Sequence, residues 1–156
     1  MNSKQKKLID REIAKFPWNQ RQSAVMAALA IMQTERNWLS KQDITEVAEY
    51  LEMPEIAVLE VATFYNMYDL KPVGKYKIAV CTNISCMLRD SDEIVRHLKK
   101  KLKIEFNEIT KDGRFCLKES ECMGSCGGAP LMTINNKSMY ENLTVEKIDQ
   151  IIDKLK

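Results

Sequence analysis

Residues 75–86 read KYKIAVCTNISC, and the reading of this stretch decides the second half of the chain. Tyr76 to Cys81 alternates Tyr, Ile and Val with Lys and Ala, the period-two pattern of a strand. The strand runs into a cysteine, and Cys86 follows after four residues. Ser91, Asp92 and Glu93 then carry the composition of a helix start, ahead of Ile94, Val95, Leu98 and Leu102 on one face. Strand is thus followed by helix.

Downstream, residues 115–126 read FCLKESECMGSC. Phe115 to Lys118 is a second short strand, leading into Cys122 and Cys126. Leu131 to Ile134 and Met139 to Tyr140 read as a hairpin around an Asn135-Asn136 turn. Thr144 is placed to cap a last helix that packs through Val145, Ile148, Ile151, Ile152 and Leu155. The order of strand, helix, strand, cysteine loop, hairpin and helix is a thioredoxin-like α/β plan.

Upstream of Lys71-Pro-Val-Gly74 the spacing is helical. Four helices are expected. The first carries Leu8, Ile9, Ile13 and Phe16 and stops before Pro17. The second runs from about Asn19 to Arg36 with Val25, Ala28, Leu29 and Met32 inward. The third opens at Ser40 and Asp43 as a capping box and buries Ile44, Val47, Ala48 and Leu51. The fourth starts at Pro54 and buries Val58, Val61, Ala62 and Tyr65. The expected class is α+β: a helical bundle over 1–72, then a thioredoxin-like domain over 73–156.

Composition narrows the function classes. The chain has 156 residues, of which 45% are hydrophobic and 29% charged, with five Gly and four Pro, so it should fold and not remain disordered. The longest apolar run, Ala24 to Met32, has nine residues, about half of a bilayer span. Direct membrane insertion is not expected, and the basic N-terminus lacks the apolar segment of a secretory signal. Lys plus Arg number 24 against 22 Asp plus Glu, a surplus too small to imply nucleic acid. A bacterial-type cytoplasm is the expected compartment.

All five cysteines lie in the second half, an odd number that fits a complete disulfide framework poorly. Cys81 with Cys86 and Cys122 with Cys126 form two pairs separated by 35 residues, which meet only if the fold brings both loops to one sheet edge. Four thiolates suit structural zinc or an iron-sulfur cluster, and structural or redox thiols are the third reading. A cluster needs backbone N–H groups aimed at its sulfurs and no carboxylate pressed against them. Gly124, Gly127 and Gly128 let the backbone come close, while Asn83, Ser85 and Ser125 offer small polar side chains. Cys116 has no partner at ligand spacing and reads as a small residue packed near the sheet. His97 and the run Lys99 to Lys103 read as solvated helix surface, the latter complementing the dipole.

Taken in order, Val61-Ala-Thr-Phe-Tyr65, Lys71-Pro-Val-Gly-Lys-Tyr76, Cys81-Thr-Asn-Ile-Ser-Cys86, Asp112-Gly-Arg-Phe115, Glu121-Cys-Met-Gly-Ser-Cys126 with Ala129-Pro130, and Tyr140-Glu-Asn-Leu-Thr144 resemble the thioredoxin-like [2Fe-2S] ferredoxins that serve as 24 kDa subunits of the proton-pumping NADH:quinone oxidoreductases. The resemblance covers about residues 8 to 156. It implies one [2Fe-2S] cluster per chain, held by Cys81, Cys86, Cys122 and Cys126, with no catalytic residue of its own. It also implies a helical domain that embraces the flavin-bearing subunit. FMN and NADH would sit on that neighbour, with the multi-cluster subunit adjoining and the whole on the inner face of the plasma membrane. In agreement, the sequence shows no glycine-rich dinucleotide fingerprint after a strand.

Two other readings stand beside this one. The equivalent diaphorase subunit of an NAD-dependent formate dehydrogenase or NAD-reducing hydrogenase would carry the same ligand set. An iron-sulfur-sensing helix-turn-helix regulator over residues 42–65 is the remote one. Its recognition helix would contain Glu55 and Glu60 but no Lys or Arg, and residues 1–72 hold nine basic against ten acidic side chains.

Overall fold

A computed structural model describes residues 1–155; Lys156, the last residue of the second expected domain, lies outside the described residues. The chain falls into two compact units, the first from Met1 to Pro72 and the second from Val73 onward.

The first unit is helical. Helix α1 spans Ser3–Ile13, opened by a capping box between Asn2 and Gln5. A 3-10 turn over Arg21–Ala24 leads into α2, Val25–Gln33. Helix α3, Lys41–Leu51, begins with the expected box between Ser40 and Asp43, and Arg36 clamps the Asp43 carboxylate at 2.6 and 2.7 Å. Helix α4 is Glu55–Phe64, with Pro54 as its cap residue. The core joins Ile9, Ala28, Leu29, Met32, Ile44, Val47, Leu51, Val58 and Ala62, all buried.

Three helices differ from expectation. Helix α1 ends at Ile13 and turns Gln5 and Ile9 inward. Leu8 and Phe16 are exposed, because Leu8 sits about 100° around from Ile9 and Phe16 lies beyond the helix end. The second helix is shorter at both ends. Helix α4 is apolar nearly all round, so burying Val58 and Ala62 leaves Ile56, Leu59 and Phe64 exposed. Tyr65 has already left the helix in extended conformation and is exposed too.

The second unit has a four-stranded sheet of order β2-β1-β3-β4. Strand β1 is Tyr76–Cys81, β2 Phe115–Ser120, β3 Met132–Ile134 and β4 Ser138–Tyr140. Strands β1 and β2 run parallel; β3 and β4 add antiparallel. The β3–β4 turn places Asn135 and Asn136 at φ 54° and 56°, the left-handed pair that a two-residue hairpin requires and that Asn tolerates. A four-residue helix α5, Ile84–Met87, precedes α6, Ser91–Leu102; α7 is Val145–Lys154. Leu98 of α6 and Ile148 of α7 are fully buried against Ile78, Val80, Leu117 and Met132 of the sheet. The fold is thioredoxin-like.

His97 is not a solvated surface residue. Its Nε2 lies 2.8 Å from Asp149 Oδ1 on α7, and Lys101 Nζ reaches the same oxygen at 2.9 Å and Asp153 at 3.1 Å. Lys99 pairs with Glu105 just beyond the helix at 2.6 Å, so the basic run serves the helix end through Lys99 and the α6–α7 seam through Lys101.

Candidate metal centre

The parallel register pairs Cys81 with Ser120, so both strands deliver their following loops to the same sheet edge. Thr82 N–H continues the ladder to Ser120 C=O at 3.2 Å. Asn83 then caps α5 by accepting the Ile84 N–H at 3.0 Å, and the short helix folds the chain back so that Cys86 is buried near Cys81. Both cysteines are 1% exposed and pack with Ala129, Leu131 and Met123.

On the second loop Gly124 takes φ 83°, a left-handed step that turns the chain between Cys122 and Cys126. Cys126 opens a 3-10 turn through Gly128, and Leu131 C=O accepts the Cys81 N–H at 3.1 Å, which ties this loop to the first. Cys122 and Cys126 are exposed, with their sulfurs 3.4 Å apart. Two thiolates on one tetrahedral metal at bond lengths of about 2.3 Å stand roughly 3.8 Å apart, so this pair needs little movement to grip one.

Cys86 lies within electrostatic reach of both pairs. Burial, a hydrogen bond with Cys81 and the neighbouring charges of Cys81 and Cys126 push its thiol up to about 11, while the Leu131 N–H aimed at the sulfur opposes the rise. Cys122 is shifted the other way, chiefly by the Gly124 N–H and then by Cys126. Two backbone donors thus point at sulfurs, the arrangement that a thiolate cluster needs.

The expectation of a carboxylate-free surround fails at Glu121, whose charge works against ionisation of Cys122. Glu121 is held there by Asn83 Nδ2 at 3.0 Å. Ser125 likewise bonds Glu141, so Asn83 and Ser125 engage carboxylates. Gly128 is required by Glu141, whose side chain would lie 2.6 Å from an added Cβ, whereas Gly127 has open space around it. Cys116 is buried on β2, four residues and about 13 Å before Ser120 at the cysteine edge.

Among the described residues, no group of three or more His, Cys, Asp or Glu is placed around a single ion. The thiols stand as two pairs at one edge, with sulfur-directed N–H groups. That donor set suits a group spanning two metals.

The sequence profile of the thioredoxin-like [2Fe-2S] ferredoxins matches residues 9–156. The E subunit of the Rickettsia bellii NADH-quinone oxidoreductase is 48% identical over 145 residues, covering 92% of this chain and 86% of that protein. Its counterpart from the Rickettsia conorii NADH-quinone oxidoreductase is 45% identical over 149 residues, 95% of this chain and 89% of the relative. In fold alone, the chain resembles a crystal structure of NAD+-reducing [NiFe]-hydrogenase in the H2-reduced state. The TM-score there is 0.68 at 24% identity over 81% of this chain, and the match spans only 22% of the hydrogenase polypeptide. With its two cysteine pairs at one sheet edge and these relatives over nearly its whole length, the chain belongs to the thioredoxin-like [2Fe-2S] ferredoxin family.

Proposed function

We propose that Cys81, Cys86, Cys122 and Cys126 hold one [2Fe-2S] cluster, and that the chain is the electron-transferring 24 kDa-type subunit of an NADH:quinone oxidoreductase. The observation that carries this reading is the β1–β2 register that delivers both cysteine loops to one sheet edge, in a chain 48% identical to a component of that enzyme. When bound, such a cluster takes up and gives back one electron at a time. The chain supplies the setting. Cys81 and Cys86 keep water from one side of the site, while the Leu131 and Gly124 N–H groups stabilise negative charge on sulfur. Anchoring in a hydrogen-bonded sheet limits how far the ligands move as charge changes, which lowers the cost of transfer.

The first unit serves as the docking domain for the flavin- and NADH-binding subunit. In support, Ile56 is 62%, Phe64 80% and Trp18 91% exposed, apolar side chains that a partner could cover. FMN and NADH bind on that partner, beside the multi-cluster subunit, in a complex on the cytoplasmic face of the bacterial plasma membrane. Among the described residues no helix is long and apolar enough to cross a membrane.

The test is direct. Protein made under anaerobic, iron-replete conditions should be coloured, contain about two irons and two acid-labile sulfides per chain, and give a rhombic paramagnetic signal on reduction. Alanine at Cys81, Cys86, Cys122 or Cys126 should abolish that signal, and Cys116→Ala should keep it. Stoichiometric zinc, or loss of the signal in Cys116→Ala, overturns the ligand set. Affinity purification from the host should bring a flavin-bearing subunit together with quinone-reductase subunits. Formate dehydrogenase or hydrogenase subunits in their place would identify the soluble alternative.

A further inference from the structure

The four thiols are unequal in access, and the inequality points to a second chemistry. Cys81 is fixed in the β1 ladder and Cys86 is packed among Ala129, Leu131 and Met123, each 1% exposed. Cys122 and Cys126 are exposed, their sulfurs already face each other at 3.4 Å, and Gly124 turns the chain between them. A disulfide needs about 2.05 Å, so roughly 1.4 Å of closure is required. Added Cβ atoms at Gly124 and Gly127 would meet nothing within 4 Å, which leaves the loop room to move that distance.

We infer that, in the cluster-free chain, Cys122 and Cys126 form a reversible disulfide while Cys81 and Cys86 stay reduced, so that cluster loading waits on reduction of this one pair. The oxidant is a low-molecular-weight disulfide. One exposed sulfur attacks it, breaking the reagent's S–S bond and releasing one thiol with the proton. The second exposed sulfur then attacks the mixed disulfide, forming the Cys122–Cys126 bond and releasing the second thiol. Two protein thiols are oxidised and one reagent disulfide is reduced to two thiols, so electrons and protons balance. The bond rests on geometry and access; only its effect on loading rests on the ligand reading above.

The full chain, stripped of iron by a chelator under argon, is incubated with glutathione disulfide, alkylated in denaturant and mapped by mass spectrometry. The expected result is one internal bond joining Cys122 to Cys126, with Cys81, Cys86 and Cys116 alkylated. A Cys81–Cys86 bond, a bond to Cys116, or a glutathione adduct that never resolves overturns the inference. The oxidised chain should also lose uptake of a preformed [2Fe-2S] cluster carried by glutathione thiolates and regain it after phosphine treatment. Equal uptake before and after reduction overturns the gate. A reduced chain that gains no cluster absorbance although the bond forms as mapped upholds the disulfide and overturns the ligand reading.

Discussion

Asn83 straps the two cysteine loops together: its Nδ2 donates to Glu121 Oε2 at 3.0 Å while its Oδ1 accepts the Ile84 N–H that starts α5. One side chain thereby fixes the helix that carries Cys86 and the residue beside Cys122. A second strap, Thr82 Oγ1 to Glu119 Oε1 at 2.8 Å, lies one step closer to the sheet.

Removing the first strap should loosen the site without unfolding the protein. Asn83→Ala loses a cap and a surface hydrogen bond, about 1 kcal/mol each. Iron release to a chelator should accelerate, with little change in circular dichroism. Asn83→Asp keeps the cap but sets a carboxylate against Glu121. It should release iron at least as fast as the alanine variant; wild-type behaviour in Asn83→Asp would mean that the cap alone matters.

Glu121 places a negative charge next to Cys122. Reduction adds a further negative charge, so Glu121→Gln should favour the reduced state and raise the potential, on the order of tens of millivolts. A redox titration followed by the paramagnetic signal reads this. A potential that falls would show that the strap, and not the charge, governs the site.

The surface and the core should respond unequally to truncation. Ile148→Ala opens a cavity between α7 and the sheet, where Ile148 is fully buried, and should cost about 2 to 5 kcal/mol in denaturant unfolding. Phe64→Ala, at an exposed position, should stay within about 0.5 kcal/mol of wild type. The same Phe64→Ala should reduce co-purification of the flavin-bearing subunit; undiminished capture would remove α4 from the docking surface.

Asp149 joins α7 to α6, and its carboxyl is held below the ordinary aspartate value of 3.8, first by Lys101 and then by His97. A carboxyl lowered by folding stabilises the native state above its unfolded value and loses that contribution as pH falls through the folded one. Wild type should therefore exceed Asp149→Asn in stability at neutral pH. The gap should close as pH falls below the ordinary aspartate range, about pH 4. Added salt should narrow it at every pH, because the pair is partly exposed. A gap that fails to close in acid would contradict the assignment.

Where local chemistry dictates structure, it was legible in the sequence. The alternation in Tyr76 to Cys81 marked β1 at both ends, and the Ser40–Asp43 box and the Thr144 cap marked two helix starts because each is settled within four residues. Helix α5 escaped notice, since four residues are too few to show a period. The His97–Asp149 contact spans 52 residues of sequence and depends on two helices packing side by side, which no local pattern encodes. The outward side of α4 was hidden for the opposite reason: apolar residues on every side give no preferred direction. At the cysteines the spacing announced two hooks, but the Asn83–Glu121 strap depends on the register of β1 against β2.

That register also decides which length changes the chain can absorb. Cys86 and Phe115 are joined by α6 and a connecting segment, and insertions or deletions there leave both hooks where they are as long as β2 keeps its alignment. One residue added within β2, between Phe115 and Ser120, would shift the pairing and turn the strand residues that follow to the opposite side of the sheet. Divergent relatives should therefore vary in the crossover and hold the length of β2 from Phe115 to Ser120 constant.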